Sequence, residues 1–187
     1  MRLFYCVELP ADVRATVARA TRPLQTRIRG ATWVSEDNLH ITLRFLGEVG
    51  EDLLPALRDL GEGIARETTP FDLSLERLGA FPHPSRARVV WVGPTAESAL
   101  FAILAQRVED DVQTLGFPPE RRPAHPHVTL ARLRIPQDLA ALVEGTALPL
   151  LRTTVDSLTL MSSELRPQGP LYTPVARWPL RGGSGAL

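Results

Sequence analysis

The chain contains no lysine. All 21 basic residues are arginine, 21 acidic residues balance them, and the formal net charge is zero. A protein that wraps long nucleic acid carries a basic surplus that displaces counterions from many phosphates, so a nucleic-acid partner is expected to be gripped locally, as an end or a small fragment. Each arginine is a planar fork suited to phosphate oxygens. Cysteine is nearly absent too. Cys6 stands alone in an apolar stretch, which excludes an intrachain disulfide and a thiolate zinc cluster and reads as core filler. The longest apolar run, around residues 99–105, falls far short of the roughly 18 residues needed to cross a bilayer. Glu8 interrupts the N-terminus before a signal-like segment develops. These absences lead to the expectation of a soluble, cytoplasmic protein with no membrane partner. Neither a GxGxxG nor a P-loop pattern occurs, so no nucleotide cofactor is expected.

What is present is an ordinary globular composition: 187 residues, 44% hydrophobic and 22% charged, enough for one domain or two small lobes sharing a core. Residues 2–8 read as a strand, and 11–28 carry apolar residues at helical spacing interrupted by Pro23. Strands are expected at 32–34 and 39–46, followed by an amphipathic stripe through Leu53, Leu57, Leu60 and Ile64. Residues 71–78 and 88–92 read as strands, Leu100 to Leu115 as a third helix, and 118–126 as a proline-dense connection. Further strands are expected at 127–135, 153–162 and 171–177, with a short helix at 138–144 and a loose tail at 182–187. The pattern predicts an α+β fold of mainly antiparallel sheets with helices outside, in one domain over residues 1–181.

One internal echo carries the chemistry. Leu39-His40-Ile41-Thr42-Leu43 is matched by Pro126-His127-Val128-Thr129-Leu130, both containing H-apolar-T-L. With 4 His, 15 Thr and 29 Leu, shuffling yields about 0.05 copies of HxTL, so a pair is a strong signal for so short a motif. In a strand, His40 and Thr42 share one face while Leu39, Ile41 and Leu43 face a core, and His127 and Thr129 do the same. Two such strands could flank one phosphate. Displacement at a phosphodiester needs a base for the attacking oxygen and an acid for the departing one. Histidine, titrating near pH 6.5, can serve as either. The threonine hydroxyls can donate to the non-bridging oxygens, and an arginine can hold their charge. Arg44 has the parity of His40 and is favoured by geometry alone; Phe45, Trp33 and Trp91 offer faces on which a base could stack.

The paired motifs, with the W-V-S-E-D-N-L-H-I-T-L-R-F-L-G segment from Trp33, F-P-H-P-S-R-A-R-V-V-W-V-G from Phe81 and P-H-V-T-L-A-R from Pro126, resemble the 2H phosphoesterase superfamily over nearly the whole chain. Within it the likeness is to the bacterial RNA 2′,3′-cyclic phosphodiesterases, formerly called 2′-5′ RNA ligases. The resemblance implies a bilobal, pseudo-twofold α+β fold with both histidines in a central groove. It implies metal-independent hydrolysis of 2′,3′-cyclic phosphate to 2′-phosphate, with reverse 2′-5′ ligation, and no cofactor. By the same resemblance His40 is the proton donor, His127 the proton acceptor, and Thr42 and Thr129 bind phosphate. Arg132 matches an arginine of the second motif, although its parity is opposite to that of His127 and it needs a bulge or strand end to face the groove. An aromatic residue is expected shortly before the second motif, where Ala124 stands. The partners implied are RNA ends or small 2′,3′-cyclic nucleotides, bound by a monomer.

Two other readings use the same residues. His125 and His127 alternate like a metal-ligand pair, and with His40 or His83 they could build a three-histidine zinc hydrolase, a reading that leaves Thr42 and Thr129 unexplained. A non-catalytic RNA-end binder would need cations more than a matched acid and base.

Overall fold

The computed structural model describes residues 1–167 and 169–182. The chain runs β1 (Arg2–Glu8), α1 (Ala11–Thr21), α2 (Leu24–Arg27), β2 (Ala31–Trp33), β3 (His40–Glu48), α3 (Leu54–Glu67), β4 (Phe71–Ser74), β5 (Arg77–Phe81), β6 (Ala87–Gly93), α4 (Ala99–Thr114), β7 (Val128–Gln137), α5 (Ala140–Gly145), β8 (Arg152–Val155), β9 (Ser157–Arg166) and β10 (Gly169–Pro179). The main sheet is antiparallel, in the order β10-β9-β1-β3-β7-β6-β5, with β2 also pairing to β7; β4 and β8 form a separate pair. The α+β expectation holds. Its pseudo-twofold character is visible in the topology, because β1, α1, β3, α3, β4 is followed in the same roles by β6, α4, β7, α5, β8. The two motif strands meet at the centre, where Ile41 faces Val128.

Apolar periodicity explains why these elements form and where they pack. Val13 and Val17 of α1, Leu57 and Ile64 of α3, and Phe101, Leu104, Val108 and Val112 of α4 are buried against the sheet. Pro23, which lacks an amide hydrogen, ends the first helical run and leaves the single turn of α2 beyond it. Leu39, Ile41 and Leu43 are 4%, 0% and 6% exposed, so the core face of the first motif is as alternation predicts. Cys6 is fully buried beside Phe4 and Met161, and burial pushes its thiol well above the usual range, leaving it inert. Among the described residues no helix is long and apolar enough to cross a membrane.

Two expected strands are each two strands. Residues 71–78 break at Leu75-Glu76, where the chain leaves the small sheet as β4 and joins the large one as β5. The Leu75 amide donates to the Leu151 carbonyl at 2.7 Å and the next amide to that of Gly93 at 3.1 Å. Residues 153–162 break likewise at Asp156, between β8 and β9. The buried positions change parity at each crossing, from Phe71, Leu73 and Leu75 to Leu78 and Ala80 and from Thr153 and Val155 to Leu158 and Leu160, so the alternation does mark the change of sheet. Of the expected loose tail, residues 183–187 lie outside the described residues. Gly182 is held instead, its amide donating to the Thr68 carbonyl at 2.8 Å.

Gly79 of β5 sits where an added Cβ would run into the indole of Trp91, which is buried beneath the His127 side of the sheet. Overpacking of this kind costs about 1–3 kcal/mol. Gly79→Ala is therefore expected to lower the unfolding free energy by that amount, read as a lower urea midpoint at unchanged slope; an unaltered midpoint would show that the ring has room to move.

Candidate active site

Residues opposite one another in a sheet share a face. Continuing the Ile41–Val128 register by one residue each way sets Thr42 opposite His127 and His40 opposite Thr129. The four motif side chains thus make a square, with the two imidazoles on a diagonal that a regular pair spans in about 7–8 Å. One tetrahedral group can touch all four.

Each imidazole is oriented in the same way. His40 Nδ1–H donates to the Asn38 carbonyl at 2.7 Å, and His127 Nδ1–H donates to the His125 carbonyl at 2.6 Å. A carbonyl only accepts, so the proton sits on Nδ1 in the neutral ring and Nε2 is left for chemistry. His40 Nε2 lies 3.0 Å from the Thr42 hydroxyl. Aromatic rings buttress both sides. Tyr172 meets His40 edge-on at 5.2 Å and 90°, and Phe81 meets His127 at 4.9 Å and 89°; Phe4 lies tilted against His40 at 5.1 Å, and Trp91 meets His127 at 6.1 Å and 60°. The aromatic neighbour looked for near Ala124 comes from β5 and β6 instead. Its signal lay in the Phe81 segment, whereas Tyr172, 132 residues from His40, carried none.

The leucine that ends each motif is a bulge. In β3, Tyr5 faces Arg44 and Cys6 faces Thr42, so Leu43 has no opposite number; in β7, Val90 faces Ala131 and Trp91 faces Thr129, so Leu130 has none. An extra residue reverses the alternation beyond it. Leu130 and Ala131 are consequently both buried, and Arg132 turns out beside Thr129 on the groove face. The bulge that its parity required is present.

The same device in β3 corrects the expectation for Arg44. Beyond Leu43 it is Phe45, 57% exposed, that faces the groove, at 5.6 Å from Phe4, while Arg44 turns away. Its guanidinium is consumed by the Glu109 carboxylate and the carbonyls of Phe45 and Pro118, which leaves it no free edge for phosphate. Glu109 also accepts from the Glu120 amide at 2.8 Å, so Arg44 tethers the proline-dense connection that leads to His127. Trp33 is corrected as well. It pairs with buried Ala131 and packs on the core, with the sheet between its ring and the groove. Trp91 is buried as a support for His127, not offered to solvent.

Burial holds both imidazoles below the usual histidine value, and the Arg132 charge pushes both further down. For His40 the charge of His127 acts in the same sense, while the Asn38 carbonyl and the Glu8 carboxylate oppose it; for His127 the His125 carbonyl opposes it and the charge of the His125 ring adds to it. Arg132 therefore acts on both halves of the square. Beyond His40 opens a cavity of about 200 Å³ lined by Glu8, Arg14, Asn38, Tyr172 and Arg177, where Arg177 forks onto Glu8 at 2.6 and 2.9 Å. Among the described residues, no three His, Cys, Asp or Glu side chains are grouped to hold a metal ion, and His83 bonds Ser85.

A family model described as the 2′-5′ RNA ligase superfamily matches residues 9–167. The chain belongs to that superfamily. It is 38% identical to an RNA 2′,3′-cyclic phosphodiesterase of Aeropyrum pernix, covering 87% of this chain and 89% of the relative. It is also 38% identical to one of Thermus thermophilus, over 99% and 93%. Among solved structures, a Thermus thermophilus protein superposes with a TM-score of 0.82 at 36% identity, covering 98% of this chain and 100% of that one. LigT of E. coli complexed with NADP+ gives 0.78 at 30% identity, covering 96% of each chain. The superfamily is the one that the paired motifs resemble, and its members share the open antiparallel architecture.

Because folding favours the neutral rings, the protein is expected to lose stability as pH falls from about 6.5 through the lowered midpoints. NMR titration should find both histidines below 6.5. Replacing Arg132 by Gln should raise both midpoints together, and movement of only one would separate Arg132 from the other.

Proposed function

We propose that the protein hydrolyses RNA 2′,3′-cyclic phosphate ends to 2′-phosphates by paired-histidine acid–base catalysis, without a metal. The observation that carries this reading is the matched fixing of two imidazoles on one face, each held at Nδ1 by a carbonyl with Nε2 on the groove side, around a single arginine. The names of relatives at 38% identity support the substrate class.

In this reading the phosphorus lies over the square, its non-bridging oxygens held by Arg132 and the hydroxyl of Thr129. Protonated His40 donates Nε2–H to the Thr42 oxygen in the free protein, leaving the Thr42 hydroxyl hydrogen for a phosphate oxygen. Water attacks in line from the His127 side. As the new O–P bond forms, the water proton passes to His127 Nε2, the P–O3′ bond breaks, and His40 gives its Nε2 proton to O3′. The 2′ ester survives, and proton exchange with solvent resets the rings. The Glu8 carboxylate on His40's side favours that ring as the one holding the proton. A 5′-hydroxyl in the place of water gives 2′-5′ ligation by the same steps. Phe45, exposed at the position that Arg132 occupies in the other motif, offers the base a stacking face. The reading assigns one domain over residues 1–181 acting as a monomer in the cytoplasm.

Incubation with an oligonucleotide ending in a 2′,3′-cyclic phosphate, with chelator present, should yield the 2′-monophosphate. Loss of activity to the chelator favours a metal hydrolase, and binding without turnover favours an end-binding protein. His40→Ala and His127→Ala should each lower the rate by about 10²- to 10⁴-fold, and losses under tenfold in both would remove the assignment. Thr42→Ala and Thr129→Ala should cost about 1–3 kcal/mol of transition-state stabilisation.

The pH profile of kcat/KM reports the free protein. Above both midpoints the acid has lost its proton, and below both the base is blocked. Since both rings titrate below their usual value, the profile should be bell-shaped with its maximum on the acid side of 6.5. A flat profile from about pH 5 to 9, with chemistry limiting, contradicts the pair.

A further inference from the structure

The zero net charge conceals a strong separation of charge. Residues 13–35, 77–96 and 121–137 contain 12 of the 21 arginines and no aspartate or glutamate; all 21 acidic residues lie elsewhere. These three stretches hold β2, β5, β6 and β7 in full, which are adjacent in the sheet and make up its His127 side. The strands on the His40 side carry Arg2, Arg44, Arg166 and Arg177 as well, but each of these is ion-paired, to Glu48, Glu109, Glu164 and Glu8. Among the described residues, the strands thus differ across the groove in that arginines on the Arg132 side have no carboxylate partner and those on the His40 side do.

On the Arg132 side, exposed arginines continue outward from the site. Past the Leu130 bulge, Arg132 and Arg134 are both exposed, with buried Leu133 between them, so they stand on one face about 7 Å apart along β7. That step is of the order of the phosphate repeat of an extended strand. Arg88 of β6 is anchored at the same place, donating through Nη1 to the Arg134 carbonyl at 3.3 Å, and exposed Arg86 lies just beyond. Among the described residues, none of these four arginines forms an ion pair, whereas Arg44, Arg107 and Arg177 all do. The neighbouring carboxylate of Asp138 is occupied by the Ala140 amide at 3.0 Å.

We propose that this acid-free arginine surface is a track for single-stranded RNA, on which phosphates beyond the reacting one lie against Arg134 and Arg88. The proposal rests on the phosphoesterase reading and narrows its substrate class. A chain several nucleotides long is the preferred substrate, and a mononucleotide uses only the groove. Arginines without a carboxylate partner attract a polyanion through counterion release, and local charge decides this more than net charge does.

The test compares kcat/KM for a pentanucleotide ending in a 2′,3′-cyclic phosphate with that for a 2′,3′-cyclic mononucleotide, for the wild type, Arg88→Glu and Arg134→Glu. The pentanucleotide should be preferred by the wild type. Two single-strand phosphate contacts give a salt slope of about −1.4, so the preference should fall about sevenfold between about 50 and about 200 mM salt. Each variant should bring the preference close to unity and keep mononucleotide hydrolysis within about twofold, which also reports that it is folded. A preference that survives both charge reversals overturns the track, as does a parallel loss on the mononucleotide. Fluorescence anisotropy with a labelled pentanucleotide bearing a 2′-phosphate reads the same contacts without turnover: equal affinity in wild type and variants overturns the track. Failure of the wild type to hydrolyse either substrate defeats the phosphoesterase reading, and the anisotropy still decides the track.

Discussion

The groove depends on a donor that can point only one way. Each motif imidazole gives its Nδ1–H to the carbonyl two residues before it, Asn38 for His40 and His125 for His127, and the other nitrogen is thereby aimed off the sheet. Strand alternation then brings a threonine alongside, and the antiparallel meeting of β3 and β7 at Ile41 and Val128 brings the two halves face to face. Remove the carbonyl contacts and the rings keep their place on the sheet but lose their direction. The edge-on rings of Tyr172 and Phe81 reinforce that direction from both sides, and their bulk is part of why burial holds the imidazoles below the usual histidine value.

The pseudo-twofold arrangement is broken just past the two motifs, in the way the proposed chemistry calls for. Five residues after each motif histidine the chain presents Phe45 on one side and Arg132 on the other. A phosphate needs a cation and a nucleoside needs a flat apolar face, and a symmetric pair of either would leave one requirement unmet. The residues before those positions diverge in the same way. Ala131 is small and buried, whereas Arg44 leaves the groove to bind Glu109 and the connection that leads to His127. The first motif strand thus helps to hold the second.

Much of this was legible from residues alone. The faces of His40, Thr42, His127 and Thr129 followed from alternation, and the buried Leu39, Ile41 and Leu43 from the same rule. The parity of Arg132 even announced that a bulge was needed. What could not be read was that β3 carries a matching bulge, because Arg44 has the expected parity and raises no alarm; only the pairing of Cys6 with Thr42 and Tyr5 with Arg44 reveals it. Trp33 misled for a related reason, since a three-residue strand leaves its face to be set by whichever neighbour it joins. The breaks at Leu75-Glu76 and Asp156 are marked only by a switch in the parity of the buried residues, which strand-like composition on either side masks. Phe81 and Tyr172 reach the histidines from strands distant in sequence, a proximity no local pattern encodes.

The bulged leucines also make the absence of a partner informative. Were Leu130 drawn into regular pairing, every residue after it would swap sides: Ala131 would look into the groove and Arg132 into the apolar interior. Regular pairing of Leu43 would likewise exchange Arg44 and Phe45. The fourth letter of each motif therefore sets the face of the strand that follows by standing outside the ladder, and whether it is paired matters as much as which residue it is.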